Sequence, residues 1–325
     1  MQFTKEHYNI IRYGLGFLFF CGFALFIIEK SLAFCVANSN DSQTGKINLV
    51  MAHQIDPEVL FLGSSVAEVG FNANLIGQLT NKTVYNLAID GTSIIQSRFL
   101  IDEFLSYSQN CKRVVIGFAF FSFDKKTSLT EPSRYLAHFS NTHVKSNFRQ
   151  IDPELYSKLR YVPFYSFTQT KHTYYKNAVH GLKNIIKGNK LVPDILNGYV
   201  PHNTPWNGER VEPEQIGSET ISISPETIKR VIDIINNIKA KNIEPVLVIT
   251  PMYLKGQELF SNFNHYQNAA KEISEKTGVK LFDFSNSELV LDEKNFYNNG
   301  HLNSTGADLF SKMVADSLIS IVSIR

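Results

Sequence analysis

Five short apolar runs constrain this chain most: Val59–Leu62, Thr83–Ala88, Arg113–Phe121, Pro245–Thr250 and Val279–Phe284. Stretches with helical spacing lie between them. Ile94–Tyr107 places Ile94, Ile95, Phe99, Ile101, Phe104 and Leu105 at helical intervals. Ser224-Pro225-Glu226 joins a capping serine to a proline at the first helical position, so a helix is expected from there to about Lys241. Glu258–Thr277 reads as a helix closed by Gly278, and Asn303–Ile321 as a terminal helix capped by Asn303, Ser304 or Thr305. The run RVVIGFAFF at Arg113–Phe121 has no polar side chain after its arginine, as a strand buried on both faces requires. Strands alternating with helices predict an α/β fold: a doubly wound, parallel five-stranded sheet with helices on both faces. Ligands bind such sheets at the carboxyl ends of the strands.

The 325 residues are 43% hydrophobic and include 25 Phe, so a packed core is affordable and global disorder is excluded. With 32 basic and 30 acidic side chains the net charge is +2, which gives no polyelectrolyte argument for nucleic acid. A mean hydropathy of −0.11 excludes a polytopic membrane protein but leaves room for one span. The three cysteines, Cys21, Cys35 and Cys111, are too few and too widely spaced for a disulfide framework or a zinc pattern. His138, His143, His172 and His180 show no ligand spacing, so no metal site is expected.

Tyr13–Ile28 (YGLGFLFFCGFALFII) carries no charge and spans roughly 24 Å as a helix. Tyr8–Ile11 and Leu32–Val36 extend it toward the ~30 Å of a bilayer core, with Arg12 snorkelling. Lys5 and Arg12 precede the run, and Glu29 and Lys30 cancel after it, so positive-inside bias favours a cytoplasmic N-terminus and an extracytoplasmic main domain. Residues 1–36 are therefore expected to form a signal anchor. The competing reading is a signal peptide cleaved after Cys35-Val36-Ala37. A lipoprotein cysteine at Cys35 is disfavoured by the bulky Phe34 before it. Gly14, Gly16, Cys21 and Gly22 are small enough to let a partner helix approach.

Residues 37–57 are polar and read as a linker. The α/β rhythm occupies 58–121 and 223–325. Between them, 122–222 form an insertion of different composition, read as a mostly helical cap. Its stretch 125–200 holds 12 Lys/Arg against 4 Asp/Glu, with Tyr156, Tyr161, Tyr165, Tyr174 and Tyr175 interleaved. Such a surface suits an anionic glycan or membrane phosphates, or is a solvated cap whose aromatics pack inward. Trp206, the only tryptophan, lies in PHNTPWNG, a Pro-bracketed loop that either walls a pocket or anchors the insertion; His202 in the same loop is a further candidate site residue.

The first strand runs into Gly63-Ser64-Ser65 at a helix start. A strand that ends on glycine and hands over to serine exposes a hydroxyl beside free backbone N–H groups; the competing role is an ordinary helix cap. His301 follows the last strand, before the terminal helix. In a doubly wound sheet both loops open on the same face, so Ser65 and His301 can meet.

Three blocks carry a family resemblance: FLGSSVAEVGFN, YNLAIDGTS and NNGHLNSTGADLFS. Together they resemble the SGNH (GDSL-like) hydrolase superfamily, and within it the membrane-anchored branch that includes DltD and the alginate acetylation proteins. The resemblance covers about 58–121 and 224–321, not the insertion. It implies the flavodoxin-like three-layer form of the sheet, Ser65 as nucleophile, His301 as its base, and an oxyanion hole from the backbone N–H groups of Ser65 and Gly91. The chain departs from the family at two places. Asn298 stands where the family carries an aspartate three residues before the histidine, with Asp283 or Asp292 as possible substitutes. The third strand end, Gly117–Phe123, lacks the superfamily's oxyanion asparagine.

The expectation is a membrane-anchored, extracytoplasmic serine acyltransferase or esterase acting on acyl groups, acetyl above all, of a cell-envelope glycan or acylated carrier. In the resembling branch such proteins work beside a membrane-bound O-acyltransferase. No diffusible cofactor and no nucleic acid are implied. The alternatives are a freestanding surface esterase or lipase, and an inactive glycan-binding or assembly module.

Overall fold

The computed structural model describes residues 5–322. The chain begins with α1 (Lys5–Ala37), α2 (Ser42–Met51), β1 (Val59–Leu62), α3 (Ser65–Gly70), α4 (Ala73–Thr80), β2 (Val84–Asn86), α5 (Arg98–Tyr107) and β3 (Arg113–Phe118). It continues through α6 (Thr142–Ile151), α7 (Pro153–Tyr161), α8 (Ser166–Gln169), α9 (His172–Lys187), α10 (Pro225–Ala240) and β4 (Glu244–Ile249). It ends with α11 (Leu254–Gln257), α12 (Phe263–Thr277), β5 (Leu281–Asp283), the short strands β6 (Phe296–Asn298) and β7 (His301–Leu302), and α13 (Ser304–Val322).

The chain forms two compact units: one is the chain up to Asn48 with Glu131–Leu191, the other Leu49–Thr130 with Val192 onward. The boundaries differ from those read off composition. Residues 42–51 are helical rather than a bare linker, and their buried Ile47, Leu49 and Val50 supply the apolar contacts for it. Residues 192–222 group with the sheet rather than with the rest of the basic insertion.

In the larger unit the five strands are parallel in the order β2-β1-β3-β4-β5, with helices on both faces. Val59 pairs with both Val84 and Arg113, so β1 sits between β2 and β3 and the chain reverses its direction of travel across the sheet there. That reversal is a topological switch point, where loops diverge and open a crevice. Phe61, Val115, Val246 and Val248 face Phe71, Ile76, Phe310 and Val314, so α4 and α13 cover one face. The alternate residues Leu60, Val114, Ile116, Leu247 and Ile249 are equally buried, and α10 and α12 pack over β4. Each such side chain contributes about 1.5–3 kcal/mol through burial.

Departures from the expected elements have local causes. β3 stops at Phe118 because Ser122 Oγ accepts the Ala119 N–H and turns the chain. The helix expected from Glu258 starts at Phe263, since Leu259–Ser261 instead pair with Glu219 through Glu219 N to Leu259 O and Ser261 N to Glu219 O. β5 is a short, partly exposed edge strand.

In the smaller unit α9 lies along the end of α1. A Cβ on Gly181 would fall 1.6 Å from the Cys35 carbonyl oxygen, so only glycine permits this approach. One turn on, Asn184 Nδ2 donates to Asn38 O at 2.9 Å, so the two helices run in the same direction here. α1 is long and apolar enough to cross a membrane, and Tyr8–Phe20 is exposed all round within the chain, unlike a core helix.

Candidate active site

The site lies at the carboxyl end of β1. Gly63 has φ +156°, and a Cβ there would fall 2.4 Å from Ala67 Cβ and 2.9 Å from Gly117 O. Glycine thus lets β1 bend directly into α3, which begins at Ser65. Ser64 occupies the capping position but its hydroxyl makes no capping bond, so the ordinary cap reading of Gly-Ser-Ser fails. Buried Asn86, at the end of β2, secures α3: its Nδ2 reaches Ala67 O and Phe71 O at 3.0 and 2.9 Å.

His301 is presented by a hairpin, not a loop. β6 and β7 pair antiparallel, with Asn298 opposite His301. Asn303 ties the hairpin to α13: its Oδ1 accepts the Gly306 N–H at 3.0 Å and its Nδ2 donates to Lys294 O at 2.6 Å. Ser65 Oγ and His301 Nε2 stand 2.9 Å apart. His301 Nδ1 lies 3.0 Å from Asn298 Oδ1. That same Oδ1 accepts the Gly300 N–H at 3.0 Å, which fixes the amide with its oxygen toward the ring. Nδ1 therefore carries the proton, and Nε2 is left as an acceptor facing the serine hydroxyl.

Neither alternative carboxylate takes that place. The Asp283 carboxylate accepts from Ser285 N and Ser285 Oγ at 2.9 and 2.5 Å, and Asp292 accepts from Lys294 N at 3.0 Å. Both close local turns. The negative charge that acts on the imidazole comes instead from Asp90 and Glu209. Burial holds His301 below its ordinary pKa, and His202 adds to the lowering, while Asp90 and Glu209 oppose it. Glu209 is positioned by accepting the Asn299 N–H at 3.0 Å.

The Ser65 N–H precedes the first bond of α3, which runs from Glu68 N to Ser64 O, so the helix itself leaves it free. Gly91 adopts φ +69°, a conformation glycine takes without strain, and closes the turn after Ile89, whose N–H reaches Gly63 O. A small cavity of about 10 Å³ lies at the ends of β3 and β4, lined among others by Val66, Phe120, Thr250, Met252 and Gly300. Val66 and Gly300 are the chain neighbours of Ser65 and His301.

The PHNTPWNG loop divides in role. The His202 ring stacks on Tyr297 at 3.9 Å, and Tyr297 stacks on His301 at 5.4 Å. His202 O also accepts the Ser304 N–H at 2.8 Å. Trp206 packs edge-on against Tyr253 at 5.0 Å, on the rim of the main core, and anchors the loop. Asp90, Glu209 and Tyr297 were not legible as site residues. Asp90 sits within the YNLAIDGTS block and Tyr297 within FYNNGH, yet neither block says which way its side chains point. Among the described residues no group of three His, Cys, Asp or Glu is placed to hold a metal ion.

No protein-family model matches the chain, and no curated protein matches it. Solved structures similar to it include SGNH-type hydrolases and acetylxylan esterases. A candidate SGNH hydrolase from Slackia heliotrinireducens is 11% identical, with 81% of this chain and 100% of that one covered and a TM-score of 0.44. An acetylxylan esterase from Geobacillus stearothermophilus is 14% identical, covering 80% of this chain and 93% of that one, with a TM-score of 0.37. A further acetylxylan esterase is 14% identical, covering 81% and 98%, with a TM-score of 0.39.

Proposed function

We propose that the chain is a membrane-anchored serine acyl-transfer enzyme of the SGNH type. Its substrate would be a short-chain ester, acetyl above all, on an extracytoplasmic glycan or acyl carrier. The observation that carries the reading is the Ser65–His301–Asn298 contact series, 2.9 and 3.0 Å, with the imidazole tautomer set for proton abstraction.

Ser65 Oγ attacks the ester carbonyl as His301 Nε2 takes its proton. The backbone N–H groups of Ser65 and Gly91 receive the developing oxyanion. The imidazolium returns its proton to the departing alkoxide, leaving an acyl-serine. A glycan hydroxyl, or water, then gives its proton to His301 and takes the acyl group, and the imidazolium passes that proton to Ser65 Oγ as the acyl–oxygen bond breaks. Asn298 holds the ring but brings no charge; Asp90 and Glu209 supply stabilisation of the imidazolium from further away.

The small cavity lined by Val66 and Gly300, the chain neighbours of Ser65 and His301, supports acetyl over long acyl chains. The exposed apolar length of α1 supports anchoring, and Lys5 and Arg12 before it support an extracytoplasmic domain; a membrane-bound O-acyltransferase as its partner rests on the resemblance to the membrane-anchored branch alone. The test exposes purified protein to a fluorophosphonate probe and to an acetyl ester, with and without an acceptor oligosaccharide. Labelling at Ser65 with acetyl transfer outpacing hydrolysis is expected. Labelling with fast hydrolysis and no transfer would make it a freestanding esterase. Absence of labelling in folded protein would sink the enzymatic reading.

A further inference from the structure

The smaller unit contains a cavity of about 730 Å³, within the range of ligand sites. Its walls are Phe26–Ala37 on α1, the α7–α8 connection, and Tyr174 on α9. Three of its lining residues are cations, Lys30, Lys145 and Arg160, against one acid, Glu29. Among the described residues no carboxylate pairs with these cations, and the Glu29 carboxylate is occupied by the Ser166 hydroxyl.

The cavity's height follows from the sequence of α1. The stretch from Tyr8 to Ile28, apolar except for Asn9 and a snorkelling Arg12 near its start, rises about 30 Å, the thickness of a hydrocarbon core. Glu29 and Lys30 follow at once and fall at the headgroup level. The Ser166–Glu29 bond brings the Tyr161-Val162-Pro163-Phe164-Tyr165 segment to that same level. Tyr161 is 76% and Val162 49% exposed there, as expected of aromatic and apolar groups at a membrane interface. Phe26, Phe164 and Tyr174 give the cavity an apolar wall continuous with the spanning stretch. Cations at headgroup height above such a wall match one ligand chemistry: a phosphate monoanion joined to acyl chains.

We propose that this cavity binds one anionic phospholipid, its phosphate held by Lys30, Lys145 and Arg160 and its chains laid along the aromatic wall beside α1. The proposal rests on α1 spanning a membrane, and is independent of the chemistry at Ser65.

Native mass spectrometry of the full chain in detergent, with phosphatidylglycerol, phosphatidylcholine or inorganic phosphate added, tests it. One tightly held phosphatidylglycerol per chain is expected, with phosphatidylcholine bound at least tenfold more weakly. Lys145→Gln with Arg160→Gln should weaken phosphatidylglycerol roughly 30-fold. Ala33→Trp, which fills the cavity and keeps the cations, should also abolish the adduct; matching melting curves would establish that both variants fold. Equal binding of the two lipids, or an unchanged adduct in either variant, would overturn the proposal. Displacement of the lipid by millimolar phosphate would also overturn it, in favour of a small-anion site. Carbonate extraction of membranes reads the anchoring premise separately: release of the chain would sink that premise whatever the lipid data.

Discussion

The Ser65 hydroxyl and the His301 imidazole meet at 2.9 Å although 236 residues separate them. Each is held by its own device: the Gly63 bend for the serine, the Asn298–His301 hairpin for the base. If they act as one unit, their losses should not add. Ser65→Ala and His301→Ala should each lower ester turnover by about 10⁴-fold or more, and the double variant by about the same amount. Steady-state rates of the three variants check this; a double variant that loses the product of the single effects would show that the two residues work separately.

Asn298 orients the imidazole without charging it. Asn298→Asp restores a carboxylate against Nδ1 and should raise kcat by about tenfold to 10²-fold, less than the ~10⁴-fold seen where the wrong tautomer is also corrected. Asn298→Ala leaves Nδ1 without an acceptor and should lower kcat. A slower Asn298→Asp enzyme would mean that the site's charge balance is already set by Asp90 and Glu209.

Burial lowers the His301 pKa. The competent base is the neutral form, so activity should be retained above that lowered pKa and lost as pH falls through it, on the acid side of the ordinary histidine value near 6.5. Asp90 opposes the lowering. Asp90→Asn should therefore move the acid limb to still lower pH, and Asn298→Asp should move it up. The kcat/KM profile against pH reads both shifts; an acid limb that moves to higher pH in Asp90→Asn would mean that the Asp90 carboxylate does not stabilise the imidazolium.

The sheet was legible because strand burial and helix spacing are local properties. Val59–Leu62 matches its expected limits, and the Ser224 cap with its proline opens α10 as read. The pairing of Ser65 with His301 was legible because topology puts both loops on one face. What surrounds them was not. Glu209 and His202 come from residues assigned by composition to a cap, yet they pack with the sheet unit, because basic, Tyr-rich composition ends near Leu191 while the chain stays polar to Ser224. The β6–β7 hairpin is too short to show a period of two. Asp283 looked a fit substitute from its strand-end position, but Ser285 two residues on claims it.

The cavity lined by Val66 and Gly300, next in the chain to Ser65 and His301, is bounded by Phe120 and Met252. At about 10 Å³ it takes a group the size of a methyl or a water. Phe120→Ala should enlarge it and shift preference from acetyl toward butyryl and hexanoyl esters. Since a methylene in an apolar pocket is worth roughly 1–3 kcal/mol, the kcat/KM ratio should move at least tenfold. A chain-length profile unchanged by Phe120→Ala and by Met252→Ala would mean the acyl group binds elsewhere.

Gly63 meets two demands at once, a backbone conformation at φ +156° and a contact distance no side chain tolerates. The obstructing Gly117 oxygen belongs to central strand β3 and cannot move without disturbing the sheet. The Ala67 methyl group belongs to α3 and can move only if the helix does. Overpacking costs about 1–3 kcal/mol and the backbone strain a similar amount, so Gly63→Ala should destabilise the fold by at least ~2 kcal/mol. Denaturant midpoints measure that loss. Because relief by shifting α3 would carry Ser65 away from His301, the variant should also lose probe labelling under conditions where it remains folded. A wild-type midpoint with wild-type labelling would show that the turn does not need its glycine.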